Sequence, residues 1–323
     1  MNFIVRRVAQ TLFVLVLMSF VSYAMMALMP GDPLDIACAA NPRCNPENIL
    51  EMKRQLGLDR PIPERFVKWA AAAVQGDLGY SRTYQRPVTE ILWPRLLNSM
   101  WLGLLSSFVA LVVAIPLGIL VGVMPRKKID YIVNMFCFVG VSSPSFWLGL
   151  MFIYLFSVQL GWLPAGGVQT VDGMEDLSGW AAVLDRLKYM ILPVLTLTLL
   201  TIAGWVRQTR SAMIEVMSMD YIRTARAKGL APVQVILKHG VRNAMLPVVT
   251  VVALGLSGVF SGAVITETVF AYNGVGKLLY DSILGNDYNV AMCAFVVSCA
   301  GVLIASLVAD LCYAMLDPRI KLK

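Results

Sequence analysis

Long apolar runs, each closed by a short polar or basic cluster, recur along the whole chain. The first, Val8 to Met29, is about 22 residues long, enough for a helix to cross a hydrocarbon core of roughly 30 Å. Pro30-Gly31-Asp32-Pro33 then stops it. The run is too long for a secretory leader, and Ala27-Leu28-Met29-Pro30 makes a poor cleavage site, so it reads as a retained span. Ser99 to Met124 is the second span, ended by Pro125-Arg126-Lys127-Lys128. Ile129 to Leu160 is the third, and at about 1.5 Å per residue it is too long for an upright crossing. Ser142-Ser143-Pro144-Ser145 supplies a kink within it. Tyr189 to Arg207, Met245 to Val269 and Tyr288 to Met315 are the fourth, fifth and sixth. The expected fold is therefore an all-α polytopic membrane protein with six transmembrane helices.

The polar stretches between the runs set the organisation. Residues 1–29 form an N-terminal tail and first span, and 30–98 an extramembrane loop with short helices. Residues 99–323 form a five-span core that includes a polar elbow at 207–244. Within the loop, Glu47 to Leu58 has helical spacing with Asn45 as cap and Gly57 as stop. Pro63 to Val74 predicts a second helix with Phe66, Trp69 and Ala70 on one side. Gly76-Asp77-Leu78-Gly79-Tyr80-Ser81 reads as a turn, and Val88 to Leu97 as a segment along the membrane surface. Gly161 to Lys188 and Phe270 to Asn289 read as further loops, the latter carrying Ala-Tyr-Asn-Gly-Val-Gly.

Composition sharpens this picture. Of 323 residues, 58% are hydrophobic and only 15% charged, against about a quarter charged in soluble domains. The net charge is +7, and much of the excess sits on the elbow. Arg207, Arg210, Arg223, Arg226, Lys228, Lys238 and Arg242 face only Glu215 and Asp220 there. Basic residues near span ends also cluster at Arg6-Arg7, Arg126 to Lys128 and Arg319 to Lys323, all on one face of a six-span chain. The positive-inside rule puts that face, both termini and the elbow in the cytosol. No soluble domain is present to carry a nucleic-acid patch. Cys137, Cys293, Cys299 and Cys312 fall in apolar spans as packing residues. Cys38 and Cys44 lie in the polar loop, where they form either a small disulfide loop in an oxidising space or two free thiols.

Missing chemistry narrows the function. No Asp, Glu, Lys, Arg or His lies between span ends, with Glu267 and Asp310 near opposite ends of theirs, which argues against an ion-coupled carrier. No phosphate-binding loop is present, because around Gly276-Lys277 Ala271 replaces the first glycine and Leu278 the Ser/Thr. No metal-ligand set stands out. Gly255-Leu256-Ser257-Gly258 resembles the serine motif of rhomboid intramembrane proteases, but the sole histidine, His239, lies in the elbow. Packing gives the better reading: Gly118 and Gly122, and Gly258 and Gly262, form small-xxx-small seams.

The elbow itself reads as helix, break, helix. Arg223 to Lys228 favours helix, Gly229 suits the left-handed position that ends one, and Pro232 suits the first turn of the next. As an ordinary loop its cations would meet anionic lipid heads. As a docking element it would meet another protein. The string Asp220-Tyr221-Ile222-Arg223-Thr224-Ala225-Arg226-Ala227-Lys228-Gly229-Leu230 resembles the cytoplasmic signature loop of ATP-binding-cassette importer permeases. Arg223-Thr224-Ala225 stands where the general form has Glu-Ala-Ala, and the gap from Gly229 to Pro247 is long. Both departures resemble the dipeptide/oligopeptide/nickel branch, as do Pro30-Gly31-Asp32-Pro33 and the Gly76–Ser81 turn.

The resemblance implies a type I-like importer permease fold, and an inner-membrane subunit with no cofactor of its own. ATP and Mg would be bound by two cytosolic ATPase subunits. A second, homologous permease would complete a heterodimer, and a periplasmic or lipid-anchored substrate-binding protein would deliver peptide, nickel chelate, glutathione or another small solute. Asp220 to Gly229 would couple to the ATPase, with Tyr221 and Ile222 as apolar contact and Arg223, Arg226 and Lys228 pairing with acids. Ser142, Ser143, Ser145, Thr250, Ser257 and Ser261 are candidate path-lining groups, against the alternative that each bonds its own helix carbonyls. The competing class is a channel or carrier that works alone.

Overall fold

The computed structural model describes residues 2–28, 59–170, 179–257 and 263–316. Cys38, Cys44 and Ser261 lie outside the described residues, as do Gly258 and Gly262. The described residues are almost wholly helical. In order they form α1 (Asn2–Leu28), α2 (Ile62–Val74), α3 (Val88–Val123), α4 (Lys128–Ser142), α5 (Ser145–Phe152), α6 (Trp180–Met217), α7 (Asp220–Ala227), α8 (Arg242–Ser257), α9 (Val264–Val269), α10 (Val275–Leu284) and α11 (Tyr288–Leu316). A π-helical stretch, Ile153–Gln159, prolongs α5, and another, Val235–Val241, runs into α8.

Five helical stretches are long and apolar enough to cross a membrane, and the α4–α5 pair makes a sixth if counted as one broken span. The pair bends by 103°. That is far more than the kink the sequence predicts. Pro144 has no N–H to continue the ladder and pushes Ser143 into extended backbone, so the helix stops and restarts.

Three other boundaries differ from expectation. α3 runs unbroken from Val88, so no surface segment precedes it; Val88, Leu92 and Leu96 recur every fourth residue and are buried against Val275, Leu278 and Val290. Pro94 sits in its second turn, where it leaves the Glu90 carbonyl without its helical donor. α6 begins at Trp180 and runs 38 residues, about 57 Å, out to the elbow. The Phe270–Asn289 segment contains α10 rather than being all loop.

α3 and α6 form the spine. A Cβ on Gly118 would lie 2.5 Å from the Thr209 Cβ, and one on Gly122 2.5 Å from the Met213 Cβ, so only glycine permits this approach. α4, α5 and α8 pack on α6, and α11 packs on α1, α8 and α10. α1 is peripheral, held to α2 by Phe20 and Tyr23 against Phe66 and Trp69. Arg7 Nε lies 3.4 Å from Asp310 Oδ2, which brings the start of α1 and the end of α11 to one face. The start of α11 lies at the other, where Asp287 meets Ser81.

Candidate functional site

The elbow forms where α6 ends. Met219 is extended, and α7 starts at Asp220 with an acid in its first turn and Arg226 in its last, matching the helix dipole. Gly229 has φ +77° and closes the helix through its N–H to the Arg226 carbonyl at 3.0 Å. A Cβ there would meet nothing within 4 Å, so the position asks for glycine through backbone conformation and not through space. Pro232 opens the next turn, as expected.

α7 has two faces. Ile222, Ala225 and Val235 are buried together with Met217 packed on them. Ile222 is fully buried, so it fixes α7 to this chain and is not the partner contact that its sequence neighbourhood implied. The outward face carries Asp220, Tyr221, Arg223, Thr224, Arg226, Ala227 and Lys228. Arg223 Nη1 lies 3.4 Å from Asp220 Oδ1 with both side chains largely in solvent, a pair of little energetic weight. The exposed apolar residues of the elbow are Met219, Tyr221, Leu230, Val233 and Leu237.

The same end of the molecule holds a pair that sequence reasoning missed. Asp130, buried in the first turn of α4, takes two hydrogen bonds of 2.7 Å from the Arg210 guanidinium on α6. The Arg126 N–H and Asn134 Nδ2 complete its shell. This bidentate fork ties α4 to the part of α6 that carries the elbow. In the sequence Arg210 is only one more loop cation, and spacing gives no hint of a partner 80 positions away.

Two of the path candidates bond their own backbone. Ser143 Oγ bonds the Val139 carbonyl at 2.8 Å, and Thr250 Oγ1 the Leu246 carbonyl at 3.3 Å, so both turn to their own helices. Ser142 and Ser145 lie at the α4–α5 break, and Ser257 ends α8 with its side chain outside the described residues. His239 lies about 25 Å along the same helical rod from Ser257, too far to act as its base.

A second missed feature lies near α9. Glu267 is fully buried, yet it accepts from Ser99 Oγ at 2.6 Å, from the Lys277 N–H at 2.9 Å and from the Ala263 N–H at 3.3 Å. Ser99 Oγ in turn accepts from the Val275 N–H at 2.8 Å, so its own hydrogen goes to Glu267. Every partner is a donor, which fits an ionised carboxylate capping the N-terminus of α10. A Cβ on Gly274 would come within 2.4 Å of the Glu267 carboxyl carbon, which explains the glycine of Asn273-Gly274-Val275-Gly276.

Residues 114–322 match the family of binding-protein-dependent transport system inner membrane components, and residues 1–99 match the N-terminal part of the same family. The chain belongs to this family. Permease relatives of this family align end to end. The chain is 38% identical over 320 residues to the oligopeptide transport system permease protein AppB of Bacillus subtilis, covering 99% of both. It is 34% identical over 338 residues to the dipeptide transport system permease protein DppB of Escherichia coli K12, covering 100% of this chain and 99% of the other. It is 34% identical over 323 residues to the glutathione transport system permease protein GsiC of Escherichia coli O6:H1, covering all of both. The permease fold also resembles a chain of the inward-facing MetNI methionine ABC transporter, with TM-score 0.56 and 18% identity over 70% of this chain and 96% of that one. This permease is thus a multi-pass membrane protein of a transport system, and the family implies an ATPase and a substrate-binding protein as its partners.

Proposed function

We propose that the chain is one permease subunit of an ATP-driven importer that carries di- or oligopeptides across the cytoplasmic membrane. The observation that carries this is α7: a helix with a buried apolar underside, an exposed cationic outer face and a left-handed glycine stop, set at the end of a helix that runs back through the core. Such a helix is built to be pushed. Tyr221, Leu230 and Val233 offer the apolar contact, and Arg223, Arg226 and Lys228 pair with acids on the ATPase. Displacement passes through Met217 to α6 and through Val235 to α8. ATP and Mg belong to two cytosolic ATPase subunits, a homologous permease supplies the other half of the path, and a periplasmic or lipid-anchored protein delivers cargo. The elbow and both termini face the cytosol. Glutathione is the second reading of the cargo, favoured by the full-length match to a glutathione permease. The path runs beside the α4–α5 break and α8, with Ser142, Ser145 and Ser257 as candidate lining residues.

The test is uptake of a labelled dipeptide by cells carrying Gly229→Pro. Proline cannot hold φ +77° and removes the N–H bonded to Arg226. Membrane abundance should stay near wild type, while uptake falls about tenfold or more, the effect of roughly 1.4 kcal/mol of lost docking. Arg223→Glu with Arg226→Glu should do the same without touching the backbone. Unimpaired uptake in both variants overturns the assignment of the elbow.

A further inference from the structure

At the end of the molecule away from the elbow, the short loop between α2 and α3 is held unusually firmly. Gly79 lies so close to the start of α11 that a Cβ there would sit 2.6 Å from Asn289 Nδ2. Asn289 Nδ2 donates to the Leu78 and Tyr80 carbonyls at 3.2 and 3.1 Å. Ser81 Oγ, fully buried, donates to Asp287 Oδ2 at 2.5 Å, and the Thr83 N–H donates to the same oxygen at 3.0 Å. The Ser81 N–H reaches the Arg86 carbonyl at 2.9 Å, and the Val88 N–H the Gly79 carbonyl at 3.0 Å. Tyr80 Oη donates to the Gln85 carbonyl at 2.5 Å, and Gln85 itself has φ +53°, a conformation that costs a non-glycine residue energy. The buried Asp287 carboxylate, just before α11, therefore braces a tight, strained loop.

The brace presents cations. Arg82, Tyr84 and Arg86 are exposed on it. Arg95, from the second turn of α3, lies over the Tyr84 ring at 5.5 Å and donates through Nη2 to Tyr84 Oη at 3.4 Å, while its Nη1 is buried without a partner. Among the described residues none of Arg82, Arg86 and Arg95 joins an ion pair. A loop that only needed solvation would not need this frame. Rigid arginine and tyrosine side chains are the types that carry binding energy in protein interfaces, and unpaired guanidinium groups seek carboxylates. The family is binding-protein-dependent, and this loop lies on the face opposite the elbow. We infer that the loop Arg82–Arg86 together with Arg95 docks an acidic patch on the substrate-binding protein. The inference rests on the importer reading above.

The experiment uses the whole complex in nanodiscs, with Arg82→Glu and Arg86→Glu combined, and titrates the substrate-binding protein while ATP hydrolysis is followed. The half-maximal concentration of binding protein should rise about tenfold or more, with basal and maximal hydrolysis unchanged. Salt should weaken the wild-type response and leave the variant little affected. An unchanged half-maximal concentration overturns the inference. So does a fall in maximal rate that follows the anionic lipid content of the nanodisc, which would make the loop a lipid contact. A wild-type complex that the binding protein never stimulates would instead overturn the importer reading itself.

Discussion

Glu267 shows how much one residue can decide. Its carboxylate accepts three donors and has no hydrogen to give, so Glu267→Gln would set an amide N–H₂ against a backbone N–H or a committed serine hydroxyl. The mismatch should cost about 1–3 kcal/mol, seen as a lower melting temperature of the purified protein in detergent. Ser99→Ala should cost a similar amount, because it strands the Val275 N–H and leaves Glu267 Oε1 with only the long bond from the Ala263 N–H. If Glu267→Gln melts like wild type, the carboxyl is protonated in the native protein and the capping account fails. The sequence shows only a glutamate near a span end. The glycines packed around the carboxyl are the trace of its burial, and they resemble ordinary turn residues until the close approach of α10 is known.

Between elements, the elbow end is tied together as one block. The glycine notches join α3 to α6, and Asp130–Arg210 joins α4 to α6, so a push on α7 would bear on three helices together. Asp130→Ala should destabilise the protein by about 2–4 kcal/mol, less than a fully buried pair because Arg210 keeps some solvent. Exchanging the charges, Asp130→Arg with Arg210→Asp, should recover part of that loss. A double mutant no better than either single one would show that the pair contributes through geometry alone. Gly122→Leu should be worse than Asp130→Ala, since α3 and α6 cannot separate without emptying the core beside Met213. The apolar runs made the spans legible, and the Asp220–Leu230 string made the elbow legible. The sharp α4–α5 bend was not, because a Ser-Ser-Pro-Ser group signals a break and says nothing of its angle. Nor were the two faces of α7. Tyr221 and Ile222 are equivalent neighbours until the helix turns one of them onto Val235.

For the whole molecule, two contacts fix which ends lie together. Arg7 with Asp310 puts the beginning of the first crossing and the end of the last on one face. Ser81 with Asp287 puts the loop before α3 beside the beginning of the last crossing, on the other. The α3–α6 notches, with Gly122 against Met213, then carry the elbow to the Arg7 face. That face also holds Arg126, Lys127 and Lys128, so the positive-inside rule has a clear choice. Single cysteines in a background lacking the native ones check it directly. Thr89→Cys and Lys228→Cys sit at exposed positions on opposite faces. In intact cells a membrane-impermeant maleimide should label Thr89→Cys and spare Lys228→Cys until the membrane is opened. The reverse pattern would invert the molecule and place the elbow where no ATPase can reach it. Equal labelling of both from outside would break the fold assignment itself, because no even number of crossings separates these two positions.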